Sequence, residues 1–375
     1  MKKILFLTGT RADFGKLKPL INSVKKNNKF DFKIFVTGMH MLEKYGSTYL
    51  EVQKHFSENI FLFDNQEKKN LYNLDLILSK TIIGLNRIVS SYKPDLIILH
   101  GDRVEALSAA CVGSLNNILT CHVEGGEVSG TIDELMRHAT SKLSHVHFVA
   151  NNDSKKRLIN MGENKKRIYV IGSPDIDLML SDNLPTLDEV KKHYDISYSE
   201  YSIFCYHPVT TELNFLKDKI DHICSALGSF DENFIVIHSN NDPGSEIISL
   251  ALEKLKKKDN FIFFPSLRHE YFLTLLKNAK FIIGNSSSGV REAPILSTPT
   301  INIGSRQNGR YSYDSILNCN DNEKDILKSY EKLKKLKNVK PSRYFGDGKS
   351  VKRFKKILED DKFWKTDLQK VFIDK

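Results

Sequence analysis

Phe281-Ile-Ile-Gly-Asn-Ser-Ser-Ser-Gly-Val-Arg-Glu-Ala-Pro-Ile295 reads as a buried strand, a loop of small residues and the opening of a helix. The apolar run Phe281–Ile283 is strand-like. Ser286, Ser287, Ser288 and Gly289 let the backbone approach a bound group closely, and the helix that follows turns its first N–H groups toward the same spot. Such a corner suits a diphosphate. Glu292 falls one turn into that helix, where a carboxylate can grip a vicinal diol such as a ribose. An ordinary αβ corner with a serine N-cap has the same local pattern, so the rest of the chain must decide between them.

Working outward, short β-rich runs alternate with amphipathic helical patterns from one end to the other, the sign of parallel sheets built from βαβ units. Strands are expected at Ile4–Leu7, Phe32–Thr37, Ile60–Phe63, Leu96–Leu99, Leu119–Val123, Val146–Val149 and Ile168–Ile171. A polar, proline-containing passage over Leu180–Glu200 interrupts the alternation. It restarts with strands at Ser202–Tyr206, Phe234–His238, Phe261–Phe264, Phe281–Ile283 and Thr300–Ile303. The expectation is an α/β protein of two Rossmann-like domains facing across a cleft, with ligand loops at the carboxyl ends of the strands. The first domain is expected over residues 1–180 and the second over 181–354. The stretch Lys349–Asp374 reads as one or two helices, with 355–375 packing back on the first domain.

At 375 residues, 40% hydrophobic and 27% charged, the chain can build two ordinary cores. Its net charge of +10 invites a nucleic-acid reading. The lysines, however, lie in helix-like runs such as Glu253–Lys258 and Lys332–Lys337 without interleaved aromatics, which is the pattern of a solvated face. A positive field equally draws in a small anion. The cysteines at 111, 121, 205, 224 and 319 form no C-x-x-C pair and several sit in apolar runs, which fits a reducing cytoplasm. Met1–Leu7 imitates the start of a signal peptide, but its apolar part ends at Thr8. No run approaches the roughly 20 apolar residues of a membrane helix. Export by that route and insertion in a membrane are therefore not expected.

Four expected strands of the first half end in polar groups that a purely structural loop does not need: Gly9-Thr-Arg11-Ala-Asp13, Thr37-Gly-Met-His40, His100-Gly-Asp102-Arg103 and His122-Val-Glu124-Gly-Gly-Glu127. Singly, each is most simply a cap or a solvated turn. Together they point to one crevice, with Asp102 and Glu124 emerging from consecutive strands on the same rim. Asp133 and Arg137 stand four apart at a helix opening, where a surface ion pair is the plain alternative. Carboxylates beside Arg11, Arg103 and Arg137 suit acid–base chemistry on a phosphorylated substrate, because one carboxyl must stay neutral while another ionises. In the second half, His207 and the Ser239–Ser245 stretch with Asn240 and Asp242 follow strand-like runs. His207 is either a satisfied core histidine or a diphosphate ligand or proton donor. Arg306 and Arg310 add cations after the last expected strand. Histidine spacing gives no metal site, and no cofactor is expected.

The motifs Gly9–Gly15, Thr37–His40, His100–Arg103, Glu124–Glu127, His207–Thr211, Gly284–Ser287 and Tyr344–Gly348, taken in order, make the chain similar to the hydrolysing UDP-N-acetylglucosamine 2-epimerases of bacterial sialic acid synthesis. That resemblance spans nearly the entire length. It implies a glycosyltransferase-B fold, a UDP-sugar substrate, UDP and N-acetylmannosamine as products, and a homodimer. It assigns catalysis to Asp102, Glu124 and Asp133, with His207 beside the diphosphate. It assigns phosphate to Ser286 and Ser287, ribose to Glu292, and nucleotide contacts to Arg11. Arg137, Asn240 and Arg306 also fall on binding positions.

Other readings compete with it. A non-hydrolysing epimerase shares the fold, but Met39-His40-Met41 and Gly125-Gly126-Glu127 depart from that branch's segments. A relative acting on a diacetamido-trideoxy sugar nucleotide in legionaminic acid synthesis is a further alternative, because sugar specificity can turn on a few pocket side chains. A glycosyltransferase has no need to deprotonate C2 of the sugar, and a nucleotide-sugar sensor has no need of the three carboxylates.

Overall fold

The computed structural model describes residues 1–66, 73–128, 132–181, 183–240 and 242–374. The chain divides into two compact units. The first takes Met1–Glu127, Asp133–Ser181 and Tyr344–Lys375, and the second Val128–Ile132 and Asp182–Arg343.

The first unit holds β1 (Lys2–Thr8), β2 (Phe30–Val36), β3 (Ile60–Leu62), β4 (Leu96–His100), β5 (Leu119–Val123), β6 (Val146–Val149) and β7 (Ile168–Val170). They pair in parallel in the order β3-β2-β1-β4-β5-β6-β7. Alternate residues of β1 serve opposite faces of the sheet, as a period of two requires. Ile4 and Phe6 enter one core with Phe14, Leu17 and Leu20 of the Arg11–Lys25 helix. Leu5 and Leu7 enter the other with Leu85, Val89 and Ala109. Burial on both faces explains why these strands read as continuous apolar runs in the sequence. The C-terminal stretch forms two helices, Ser350–Leu358 and Asp361–Trp364. Phe354, Leu358 and Phe363 join the first core, Phe363 stacking on Phe148 with ring centroids 6.2 Å apart. Packing of the C-terminal helix on the first sheet is as the sequence suggested.

The second unit holds β8 (Ser202–Cys205), β9 (Phe234–Ile237), β10 (Phe261–Phe264), β11 (Ile282–Gly284), β12 (Thr300–Ile303) and β13 (Ile316–Cys319). Its order is β10-β9-β8-β11-β12-β13, again parallel. Every strand expected from the sequence forms, with bounds shifted by at most two residues. β13 was not expected. It is a four-residue edge strand with one buried residue, Ile316, and Asn318 inside it, so neither alternation nor a long apolar run announces it.

In an open parallel sheet, ligands bind beyond the carboxyl ends of the strands where the strand order reverses. The first sheet reverses between β1 and β4, and the second between β8 and β11. The residues following these four strands are Gly9–Asp13, Gly101–Arg103, Tyr206–His207 and Asn285–Ser287. Among the described residues no helix is long and apolar enough to cross a membrane.

Candidate active site

At the switch point of the first sheet a chain of buried charges forms. Thr10 N-caps the Arg11–Lys25 helix by accepting from the Asp13 N–H, which sets Asp13 and Lys16 one turn apart on one face. Asp13 Oδ1 lies 3.3 Å from Nδ1 of His100, the last residue of β4, and His100 Nε2 lies 2.9 Å from Glu124 Oε2. Lys16 Nζ stands 3.4 Å from the same Glu124 oxygen and 3.0 Å from Asp175 Oδ2. The Ser173 hydroxyl bonds the other Glu124 oxygen and lies 2.5 Å from Asp175. Burial alone would depress His100, but the neighbouring Glu124 and Asp13 outweigh it and raise its pKa to about 9. The ring is therefore an imidazolium at neutral pH, inside the protein and between carboxylates.

Glu124 is only 2% exposed and has φ +62°, in the left-handed region. For a side chain other than glycine that conformation costs about 1–2 kcal/mol, and here it turns the chain off β5 so that the carboxylate meets His100. Asp102, beyond β4, is the more open carboxylate, with 20% of its side chain exposed. It is ion-paired to Arg137, whose other terminal nitrogen donates to the Glu124 carbonyl oxygen at 3.1 Å. Arg137 thus ties Asp102 and Glu124 together from the Ile132–Leu143 helix. Asp133 is half-buried in the first turn of the same helix.

Two arginines expected at the substrate engage carboxylates. Arg11 Nε lies 3.1 Å from Glu51 Oε2, and Arg103 Nε 4.0 Å from Glu105 Oε2. Glu105 is 1% exposed, and burial pushes its carboxyl up.

At the switch point of the second sheet the organiser is Asn285. Gly284 pairs with Cys205 at φ +134°, and a Cβ there would stand 2.0 Å from the Cys205 carbonyl oxygen. Only glycine fits this close approach. Asn285 then lies against the end of β8, its side-chain oxygen accepting from the His207 N–H at 2.6 Å and its amide donating to the His207 carbonyl at 2.8 Å. Asn285's own carbonyl accepts from Gln307 at 2.7 Å and from Arg306 at 3.3 Å. The Asn240 N–H donates to His207 Nδ1 at 3.0 Å, so that nitrogen keeps its lone pair and the ring proton sits on Nε2, 3.5 Å from the Cys205 sulfur. The Asn240 side chain bonds Asp242. Burial pushes the Cys205 thiol up to about 11, so it remains a thiol.

Ser286 N-caps a helix that spans only Ser287–Val290, and Glu292 opens a second, Glu292–Ile295. The sequence had suggested one continuous helix. The break falls at Arg291, because Pro294 lacks an N–H and its ring would clash with the carbonyl of Val290 in an unbroken helix. Ser286 and Ser287 are half-buried at the corner, and Glu292 is 5% exposed.

Of the residues singled out in the sequence, Asp102, Glu124 and Arg137 meet in one network, and His207, Asn240, Asp242 and Arg306 gather around Asn285. Asp13, Lys16, His100, Ser173, Asp175 and Asn285 were not singled out. Asp13 and His100 lie within the strand-end motifs, Lys16 follows Asp13 by three residues, and Gly172-Ser-Pro-Asp175 has the strand-end and Pro-at-N1 pattern of a helix opening.

Residues 22–359 match the UDP-N-acetylglucosamine 2-epimerase family. The chain belongs to that family. It is 44% identical over 377 residues to the UDP-N-acetylglucosamine 2-epimerase of Neisseria meningitidis serogroup B, covering 100% of this chain and 99% of the relative. It is 32% identical to the UDP-N,N'-diacetylbacillosamine 2-epimerase (hydrolyzing) of Legionella pneumophila, covering 96% of each. In fold it is similar to the crystal structure of the Methanocaldococcus jannaschii UDP-GlcNAc 2-epimerase in complex with UDP-GlcNAc and UDP. The TM-score is 0.79 at 24% identity, over 96% of this chain and 99% of that one. The two parallel-sheet units and this likeness show the glycosyltransferase-B fold.

Proposed function

We propose that the chain is a hydrolysing epimerase that converts UDP-N-acetylglucosamine and water to N-acetylmannosamine and UDP, the opening step of sialic acid synthesis. The observation that carries this reading is the buried His100 imidazolium between Asp13 and Glu124, beside an Asp102 carboxylate that pairs with Arg137. It puts a proton donor and a proton acceptor in one network.

The C2 proton of the sugar becomes acidic only as the C1–O bond to UDP breaks, so capture of the leaving diphosphate governs the first step. Ser286, Ser287, Arg306 and the His207 corner are proposed for that task, each well-placed donor lowering the barrier by about 2.7–4 kcal/mol. Glu292 is proposed to hold the ribose. A carboxylate takes the C2 proton as UDP departs with the C1–O electron pair, leaving a glycal. Asp102 suits that base, being paired with Arg137 and the least buried of the network's carboxylates, with Asp133 as the second candidate. Water then adds its hydroxyl to C1, and C2 is reprotonated on the opposite face, which inverts the centre. Glu124, able to draw a proton from His100, suits the delivery.

The test is to incubate the pure protein with UDP-N-acetylglucosamine alone and follow the sugar protons by NMR. Free N-acetylmannosamine with UDP is expected. UDP-N-acetylmannosamine as the end product would make the enzyme non-hydrolysing, and unchanged donor would exclude both. The Legionella relative supports a second reading, the same reaction on a UDP-diacetamido-trideoxy sugar. A larger kcat/KM for that substrate than for UDP-N-acetylglucosamine would establish it.

A further inference from the structure

A second buried charge cluster lies in the first unit, at the far end of the helix that carries Arg137. Residues 365–374 run without regular secondary structure, yet they are anchored. Lys370 Nζ donates to the carbonyl oxygens of Ser141, Lys142 and Ser144 at 3.0, 2.7 and 2.7 Å, the last carbonyls of the Ile132–Leu143 helix and its exit. It lies 2.7 Å from Glu163 Oε2. An ammonium on a helix C-terminus satisfies carbonyls that have no partner in the helix and meets the negative end of its dipole. Around it, Ile373 N–H donates to Gly162 O at 3.1 Å, and Leu368 O lies 3.2 Å from His145 Nε2. Glu163 is 3% exposed and is also held by Lys142 at 2.8 Å and His147 at 3.1 Å.

The same helix is tied to the active-site loops at its other contacts. Arg137 holds Asp102 and the Glu124 carbonyl. Ser141 Oγ lies 2.9 Å from His122 Nδ1, and His122 Nε2 lies 2.7 Å from Gly101 O. Burial keeps His122 neutral, so Nε2 donates to the carbonyl and Nδ1 accepts from the serine. A shift of the helix moves the peptide before Asp102 and the Asp102 carboxylate together.

We propose that Lys370 is a positioning residue for the reaction: seated on Glu163, its ammonium fixes the Ile132–Leu143 helix, and with it the Arg137–Asp102 pair and the Ser141–His122–Gly101 bridge. The turnover readout rests on the reading of Asp102 given above. Lys370 is faced by Glu163, by Lys142 from the helix, by Arg167, and by His147 and His145 from and beside β6. Burial, only partly offset by Glu163, lowers its pKa to about 8. The anchor therefore weakens at alkaline pH.

The experiment compares Lys370→Met and Lys370→Arg with the wild type by steady-state kinetics across pH, UDP calorimetry and amide exchange over Arg137–Leu143. Lys370→Met is expected to lower kcat by about ten- to hundredfold, since small displacements near a reacting group have effects of that size. KM and the UDP Kd should stay within about twofold, and amide protection should fall. Lys370→Arg should restore most of the rate and move the alkaline limb of kcat from about 8 to about 9, where His100 titrates. Wild-type kcat with an unmoved limb in Lys370→Arg, or a folded Lys370→Met with full turnover, would overturn the proposal. If Lys370→Met does not fold, the limb in Lys370→Arg decides. If the wild type turns over no UDP-sugar, the functional reading fails on its own, and amide exchange still decides whether Lys370 fixes the helix.

Discussion

His100 Nε2 and Glu124 Oε2 are 2.9 Å apart, with both groups buried and Asp13 on the other ring nitrogen. In the proposed reaction, a proton shared along this line would be lent to the reacting carbon without first crossing from bulk water. The pair therefore joins the electrostatics of the first sheet's switch point to the chemistry proposed there.

The His100 charge should be directly observable. Its ring 13C and 15N shifts should report a pKa near 9, raised from 6.5. Because the folded value is raised, the stability this proton contributes is full below 6.5 and is lost as pH rises through about 9. The gap in Tm between wild type and His100→Asn should accordingly narrow over that window. A His100 that titrates at or below its ordinary value would remove the imidazolium from the mechanism.

Neutral isosteres should separate chemistry from binding. Asp102→Asn and Glu124→Gln are each expected to lower kcat by about 10²–10⁴ while leaving the UDP Kd nearly unchanged. Full turnover in either variant would strike that residue from the reaction.

The corner proposed to hold the diphosphate should respond in the opposite sense. Asn285→Ala removes both bonds to the His207 backbone, at a cost of about 1–3 kcal/mol for buried groups left unsatisfied. Calorimetry should show weaker UDP binding, with the His100 shifts unaltered. Unchanged UDP affinity in a folded variant would mean that the corner does not hold the nucleotide.

Reaction in heavy water should leave deuterium at C2 of the released sugar, because the proton removed there exchanges before the opposite face is protonated. Complete retention of the original hydrogen, read by mass spectrometry, would rule out the glycal.

Much of the fold was legible because parallel strands buried on both faces carry continuous apolar runs, as Ile4–Leu7 in β1, Leu96–Leu99 in β4, Ile203–Cys205 in β8 and Phe234–Ile237 in β9 do. β13 escaped because an edge strand has little to bury. The strand-end motifs led to Asp102 and Glu124, since four such motifs at the ends of parallel strands point together to one crevice. Their supports were harder to read. Ser173 and Asp175 follow β7, two strands from β5 in the sheet, and Ser173 is 49 positions from Glu124 in the chain, so only the sheet order brings them to Glu124. Asn285 stands in the Phe281–Ile295 stretch beside serines whose small hydroxyl side chains carry the plainer phosphate signal. An asparagine at a turn ordinarily serves its own backbone, and nothing local reveals that this one serves His207.

That clasp also bears on how the protein ages. Asn285 is followed by a small hydroxyl residue, a neighbour that ordinarily lets an asparagine close on the next peptide nitrogen and shed ammonia. Here Asn285 is 1% exposed and its amide is engaged at both ends, so ring closure would have to break both bonds while the corner stays folded. Were the corner to open and the conversion to occur, the resulting aspartate would set a negative charge against the His207 carbonyl, and the clasp would not re-form. Chemical lifetime at this position is thus governed by how seldom the corner opens.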